Sequence, residues 1–469
     1  MQKANIKIEI INWSAGDTDM LPVFLIEILV IFFGISRVLS RVDWSLRGVK
    51  YPVSFGITIS GAACLYYLSL VTSFRIEPIL AFFSGCFGTF TLTALLKKKD
   101  SPESVSKRLS ASNLLIFSIG ILVLTLRFNK HLHRWGDWDA YAIWTHHAKF
   151  LFYPEYWKTM FTQKLASTHP DYPLMLPSII ALTWRNVNLI TPIVPMAISY
   201  FTFLSISATI FLSLNQHRRL FFSILSLLIF ALDSKYLNIA ASQYADTMLA
   251  FFILIAFVLY KQIDDKRTYN IAILLGFVAG SAAWVKNEGI LFFLIFSATL
   301  CYFKFKQPHV IVKYILGALV PVLIVIHFKI TLAPPNDLVH SNRGEDILKM
   351  IADPARYLLI VKHFVITSAS YYWILFVLFL ALLMHKTAFS NSFPFIVISL
   401  ILCGYFVIYL TTPNDLNWHL GASLDRLLHH LFPSCIYLFL FRLSSVSNIR
   451  QALGGSEPRT GFANADRST

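Results

Sequence analysis

Apolar segments close to the length of a bilayer's hydrocarbon core recur along this chain from Met20 to Phe441. A helix needs about 20 predominantly apolar residues to span that core, so a chain that repeats such runs is committed to a polytopic helical bundle. The reading places them at 20–38, 52–73, 76–96, 113–129, 173–190, 193–214, 219–233, 246–260, 268–285, 289–304, 311–331, 363–384, 393–411 and 426–442. An all-α fold with about twelve to fourteen membrane segments is expected. Charged residues make up 14% of the 469 positions, against 56% hydrophobic. Soluble domains carry roughly 25% charge, which excludes that class.

The formal net charge is +15, but no nucleic-acid motif accompanies it. In a membrane chain such an excess belongs to short cytoplasmic loops facing anionic headgroups, so no nucleic-acid partner is expected. Cys64, Cys86, Cys301, Cys403 and Cys435 all lie in apolar runs without metal-ligand spacing and read as packing residues. No cleavable signal is evident at the N-terminus.

Three regions are expected: N-terminal transmembrane helices at 1–112, a catalytic membrane core at 113–442, and a cytoplasmic disordered tail at 443–469. The core includes an extracytoplasmic loop at 129–172, too short to hold a core of its own. Lys and Arg concentrate at 36–50, 97–108, 215–219, 261–267, 304–313 and 385–386 and in the tail, which assigns those loops to the cytoplasm. Alternation then breaks once, and 173–190 is read as a half-buried or re-entrant helix. The loops at 129–172, 234–245, 286–289, 332–362 and 412–425 fall on the opposite face. The unusual polar motifs gather there, although the assignment used only Lys and Arg.

In GDWDAYAIWTHHAKFLF (136–152), Ala140, Ile143, Trp144, Ala148, Leu151 and Phe152 recur at helical spacing. With Trp135 and Trp138, they suggest a short helix lying in the membrane interface. Asp137 and Asp139 stand at its N-terminus, where one aspartate caps free N–H groups and the other is available as a base. Asp137 is assigned the cap and Asp139 the chemistry. His146 and His147 point about 100° apart on a helix and match no zinc pattern; no metal ligands are assigned, and divalent-metal dependence is left open.

HPDYP (169–173) holds His169 and Asp171 rigidly at a helix start. SQYADTMLAFF (242–252) places Tyr244 and Asp246 at the head of an apolar helix, with capping and function equally supported. WVKNEG (284–289) interrupts apolar sequence with Lys286 and Glu288. A hairpin turn with Gly289 ending the helix explains the glycine, and a lysine on the less basic face suits an anionic group. NDLNWHLGASLDRLLHHLFP (414–433) adds Asp425 and Arg426 at the mouth of the last span, where Arg426 can clamp a phosphate bidentately or anchor the helix in the interface.

Taken in order, WDAYAIWTHHAKFLF, HPDYP, YAD, VKNEG and DRLLHHLFP resemble the GT-C superfamily of membrane glycosyltransferases. The likeness is nearest to bacterial relatives of protein O-mannosyltransferases, of the aminoarabinose transferases that modify lipid A, and of dodecaprenyl-phosphate-galacturonate transferases. It covers roughly residues 113–440. The resemblance implies a catalytic acid in the first large extracytoplasmic loop, juxtamembrane helices beside it, and a sugar donor on a polyprenyl phosphate. Asp139 matches the family aspartate. Many members have Asp-Glu where this chain has Asp139-Ala140, so Asp137 stands in for the second acid. Lys286 falls at the family's Lys-Gly turn and would contact phosphate, and the transfer would invert the anomeric configuration.

The expected function is therefore transfer of a sugar from a polyprenyl-phosphate donor to an acceptor hydroxyl outside the cytoplasm, at a bacterial inner membrane facing the periplasm. No other cofactor is assigned. His169, Asp171, Tyr244, Asp246, Lys286, Glu288, Asp425 and Arg426 are the expected substrate-binding residues, with membrane lipid as surroundings and a glycolipid, polysaccharide or protein as acceptor. A transporter or flippase of a lipid-linked saccharide is an alternative that predicts charges inside the membrane. An O-antigen polymerase or ligase is another, and would rely on Arg343 or Arg426.

Overall fold

In the computed structural model the described residues are 20–42, 48–96, 110–216, 219–263, 270–335, 344–371 and 393–454; Arg343, the tail beyond 454 and most of the 363–384 segment lie outside them. The described residues form helices and no strands. They are α1 (Met20–Val42), α2 (Lys50–Thr72), α3 (Glu77–Leu96), α4 (Ala111–Asn129), α5 (Thr145–Phe152), α6 (Met175–Val187), α7 (Ile193–Gln216) and α8 (Leu220–Leu232). Then come α9 (Ser234–Ala241), α10 (Ala245–Tyr260), α11 (Ile271–Val285), α12 (Asn287–Lys304), α13 (Pro308–Thr331), α14 (Gly344–Ala352), α15 (Pro354–Tyr371), α16 (Phe393–Leu410) and α17 (Leu416–Gly454).

Six described helices are long and apolar enough to cross a membrane: α2, α4, α7, α12, α13 and α16. The pair α8 and α9, bent by 73°, makes a seventh if it counts as one span. This is the build of a multi-pass membrane protein. The count covers the described residues, and two of the expected segments are too short for such a span. At 1.5 Å per residue, the 13 residues of α6 and the 15 of α11 fall short of a hydrocarbon core about 30 Å thick. All 16 residues of α10 are buried within the protein, so its uninterrupted apolar sequence packs against other helices on every side.

α10 sits at the centre and runs beside α17 in the same direction. At one end Asp246 meets His430. At the other, Lys261 lies 3.9 Å above the Phe441 ring, and Arg219 donates to the Phe441 carbonyl at 2.8 Å. Lys261 and Arg219 thus lie at one end of this helix pair and Asp246 at the other. The N-terminal helices are not a separate layer. Ser60 on α2 hydrogen-bonds Ser281 on α11 at 2.7 Å, Tyr67 meets His327 on α13 at 2.8 Å, and Tyr66 donates to the Leu151 carbonyl at 2.5 Å.

α11 and α13 cross with their backbones almost touching. A Cβ added at Gly276 would lie 1.9 Å from the Tyr314 carbonyl oxygen, and one at Gly317 would lie 1.9 Å from that of Ile273. Small residues allow such approach where lipid gives helices no hydrophobic reason to associate. Gly276→Val is therefore expected to cost about 1–3 kcal/mol, read as a lower thermal midpoint in detergent. Gly61→Val, at a helical position with open space around it, is the control; an equal loss there would remove close approach as the explanation.

Candidate functional site

The acidic end is assembled from four separated stretches of chain. The first begins at Gly136, whose φ of +73° suits a residue without a side chain. A Cβ there would also strike the Ser242 carbonyl oxygen at 2.4 Å. The Asp137 N–H donates to that same carbonyl, and Gln243 Nε2 donates to the His133 carbonyl at 2.6 Å. These bonds fasten the loop to the start of α10. Asp137 Oδ1 accepts the Trp138 N–H at 2.8 Å. Asp139 follows at the head of a single π-helical turn, Ala140–Trp144, closed by the Thr145 N–H on the Ala140 carbonyl. Its carboxylate makes no cap bond. It pairs instead with Nη1 of Arg426.

Of the apolar stripe expected at the membrane interface, Ala140, Ile143, Trp144, Ala148 and Leu151 are buried inside the protein, with Trp144 stacked on Tyr172 at 5.7 Å, while Phe152 is half-buried. The rings that do face outward are Trp138, 66% exposed, and its T-shaped partner Tyr141.

Asp246 lies in the first turn of α10 but does not cap it. Oδ1 accepts from Lys286 Nζ at 3.0 Å and from His430 Nε2 at 2.7 Å. Lys286 Nζ lies equally close, 3.0 Å, to Glu288 Oε1. The hairpin-turn alternative has Gly289 ending the helix; in the structure α11 stops at Val285, Lys286 alone is extended, and α12 begins at Asn287. Gly289 lies inside α12 and lets it approach the Ala282 carbonyl. That single extended residue directs the ammonium inward. Burial works against its charge, but the Asp246 and Glu288 carboxylates outweigh that penalty and raise the Lys286 pKa above the ordinary lysine value. Lys286 is thus already neutralised and almost wholly buried, which argues against the direct phosphate contact expected of it.

Arg426 arrives on α17, which starts at Leu416 behind Asp415 and not at 426. Asp415 Oδ1 caps the start by accepting the Trp418 N–H at 2.8 Å. Arg426 therefore sits inside a long helix, with its guanidinium 5.3 Å from the Tyr244 ring centroid. Asp425 accepts the Arg426 N–H at 2.8 Å. Burial raises its pKa above the ordinary aspartate value, partly offset by that hydrogen bond and by the Arg426 charge.

A second polar group adjoins the first. Asp171 Oδ2 accepts from Asn287 Nδ2 at 2.8 Å, while Lys329 Nζ donates to Asn287 Oδ1 at 2.7 Å and to the Asp171 carbonyl at 2.6 Å. Tyr172 forms the wall between the two groups, with Lys286 Nζ 5.8 Å from its ring centroid. His169, at a left-handed φ of 50°, stacks on Tyr172 at 4.7 Å.

Asp139, Asp246, Lys286, Glu288 and Arg426 thus meet in one network, with Tyr244 against it. Asp171 belongs to the adjoining group, while Asp137 and His169 make local contacts. Sequence reasoning missed His430, Tyr172, Asn287, Lys329 and Tyr405. The Nε2–H tautomer of His430 that serves Asp246 leaves Nδ1 to accept the Tyr405 hydroxyl, 3.2 Å away. Lys329 carried the same signal as Lys286, a lysine at the less basic end of an apolar run. His430 stood in a quoted motif but was assigned no role. Among the described residues no three His, Cys, Asp or Glu side chains are grouped to hold a metal ion.

No family model, no curated protein and no solved structure matches this chain.

Removing Lys286 leaves two carboxylates uncompensated, which for buried pairs costs about 3–5 kcal/mol. Lys286→Met is expected to reduce folded, monodisperse protein in size-exclusion chromatography. Lys286→Met combined with Asp246→Asn is expected to recover part of the loss, and no recovery would contradict the pairing.

A pH effect follows from His147, buried in α5. Burial, with His146 and His169 adding repulsion, pushes its pKa down to about 3. The unfolded imidazole, near 6.5, binds protons that the folded one refuses. Stability therefore falls as pH drops from about 6.5 toward 3, by at most about 1.4 kcal/mol per pH unit from this group. His147→Phe is expected to flatten that part of the thermal-midpoint profile; an unchanged slope would remove His147 as its source.

Proposed function

We propose that the chain is a membrane glycosyltransferase of the GT-C type, moving a sugar from a polyprenyl-phosphate donor to an acceptor hydroxyl on the extracytoplasmic face. The observation that carries this reading is the pairing of Asp139 with Arg426. A partly exposed carboxylate and a partly exposed guanidinium, 22% and 19% by side chain, meet beside a more deeply buried charge cluster and supply the two groups that glycosyl transfer from a lipid phosphate needs.

In the proposed reaction the Asp139 carboxylate takes the proton of the acceptor hydroxyl as its oxygen attacks the anomeric carbon. The bond from that carbon to the phosphate oxygen breaks, and its electron pair leaves with the phosphate. Arg426 neutralises the charge developing there. Lys286 contributes at longer range and fixes Asp246 and Glu288. Attack opposite the leaving phosphate inverts the configuration. The donor's prenyl chain lies among apolar helices, and delivery through the bilayer suits a site with no access to nucleotide sugars. The bacterial inner membrane, the periplasmic orientation, and a glycolipid, polysaccharide or protein acceptor belong to the same proposal.

Asp139→Asn tests this in a membrane preparation given labelled lipid-linked sugar. Transfer is expected to fall about 10²–10⁴-fold at equal protein level, and unchanged transfer would remove Asp139 as the base.

A transporter of a lipid-linked saccharide keeps one observation in its favour. Asp246, Lys286 and His430 are buried charged and polar groups of the kind that line transport pathways. Movement of substrate across reconstituted vesicles without covalent transfer would select that reading.

A further inference from the structure

We infer that the Asp139–Arg426 ion pair is a resting latch which the phosphate of an incoming prenyl phosphate opens, taking Asp139's place on Arg426 and releasing the carboxylate. This rests on the proposed transferase reading and adds to it an order of events: donor first, base second.

Asp139, Asp246 and Glu288 face Lys286 and Arg426, three carboxylates on two permanent cations. An anionic phosphate cannot join this group without further repulsion unless a carboxylate withdraws. Asp246 and Glu288 are held, since both pair with Lys286 at 3.0 Å and Asp246 also accepts from His430. Among the described residues, Arg426 is the side-chain partner that holds Asp139.

Asp139 can withdraw by turning its side chain alone while the backbone stays pinned: the carboxylate is partly exposed and makes no cap bond to the π turn Ala140–Trp144. Arg426 is suited to exchange one anion for another. It gives Nη1 to Asp139, while its buried Nε has no hydrogen-bond acceptor among the described residues. A phosphate offers several oxygens to the planar fork and can serve both edges. One anion then replaces another on the guanidinium, so the cation is never left bare.

The closed latch lowers apparent affinity by the fraction of molecules that are open. Farnesyl phosphate in detergent is the probe, titrated by microscale thermophoresis into wild type, Asp139→Asn and Arg426→Gln. Asp139→Asn is expected to bind about tenfold tighter than wild type, while losing transfer, and Arg426→Gln is expected to bind at least about tenfold weaker. Equal or weaker binding by Asp139→Asn overturns the latch. So does an equal gain with farnesol, which lacks the phosphate. An equal gain with phosphatidylglycerol in mixed micelles would overturn the prenyl phosphate as the opening ligand.

Wild-type protein supplies a second measurement that needs no variant to fold. Carbodiimide labelling of Asp139, read by mass spectrometry, is expected to rise with farnesyl phosphate and not with farnesol; a fall or no change overturns the proposal. Neither measurement requires turnover. A protein that shows the latch but transfers no sugar would fail the transferase reading alone. One that transfers sugar without the affinity gain would fail the latch alone.

Discussion

The ammonium of Lys286, held between Asp246 and Glu288, is the interaction on which the acidic end of the bundle depends. A charge of either sign buried alone among apolar helices is prohibitively costly, so it must be paired and hydrogen-bonded. That demand reaches outward. Lys286 fixes the junction of α11 and α12, Asp246 the start of α10, and His430 the face of α17 turned toward both. Tyr405 extends the chain of bonds to α16. Five helices are therefore registered to one another by one cluster, and the contacts of Asp139 and Arg426 are built on that register.

The helices were legible in the sequence because hydrophobicity is local. A run such as MLAFFILIAFVLY in α10 announces a buried helix whatever surrounds it. Its surroundings were not legible: apolar sequence does not tell whether a helix faces lipid or, like α10, other helices on every side. The same holds for the stripe at 140–152, because Ile143 and Leu151 suit a protein core as well as they suit a lipid interface. Hydropathy reports that a side chain leaves water, not what it meets afterwards.

The polar motifs were legible as a set because they interrupt apolar sequence and lie on the less basic side of each loop. Their pairings were not. Asp139 and Arg426 are 287 positions apart, and Asp246 and His430 are 184 apart. Nothing in either segment names its partner. Lys286 shows the consequence: read alone, it is a free cation awaiting a phosphate, yet it is already saturated by two carboxylates. Lys329 was passed over although its position in α13 follows the same pattern.

The π turn at Ala140–Trp144 fixes the aim of Asp139 by residue count and not by chemistry. One residue fewer would close that turn as an ordinary helix and rotate everything on one side of it by about 100° relative to the other. With the loop stitched to Ser242 and Gln243 and the following helix packed on α6, neither side is free to turn back. Length in this segment is therefore held more tightly than composition, and a shortened turn would misdirect the carboxylate even with every side chain of the network retained.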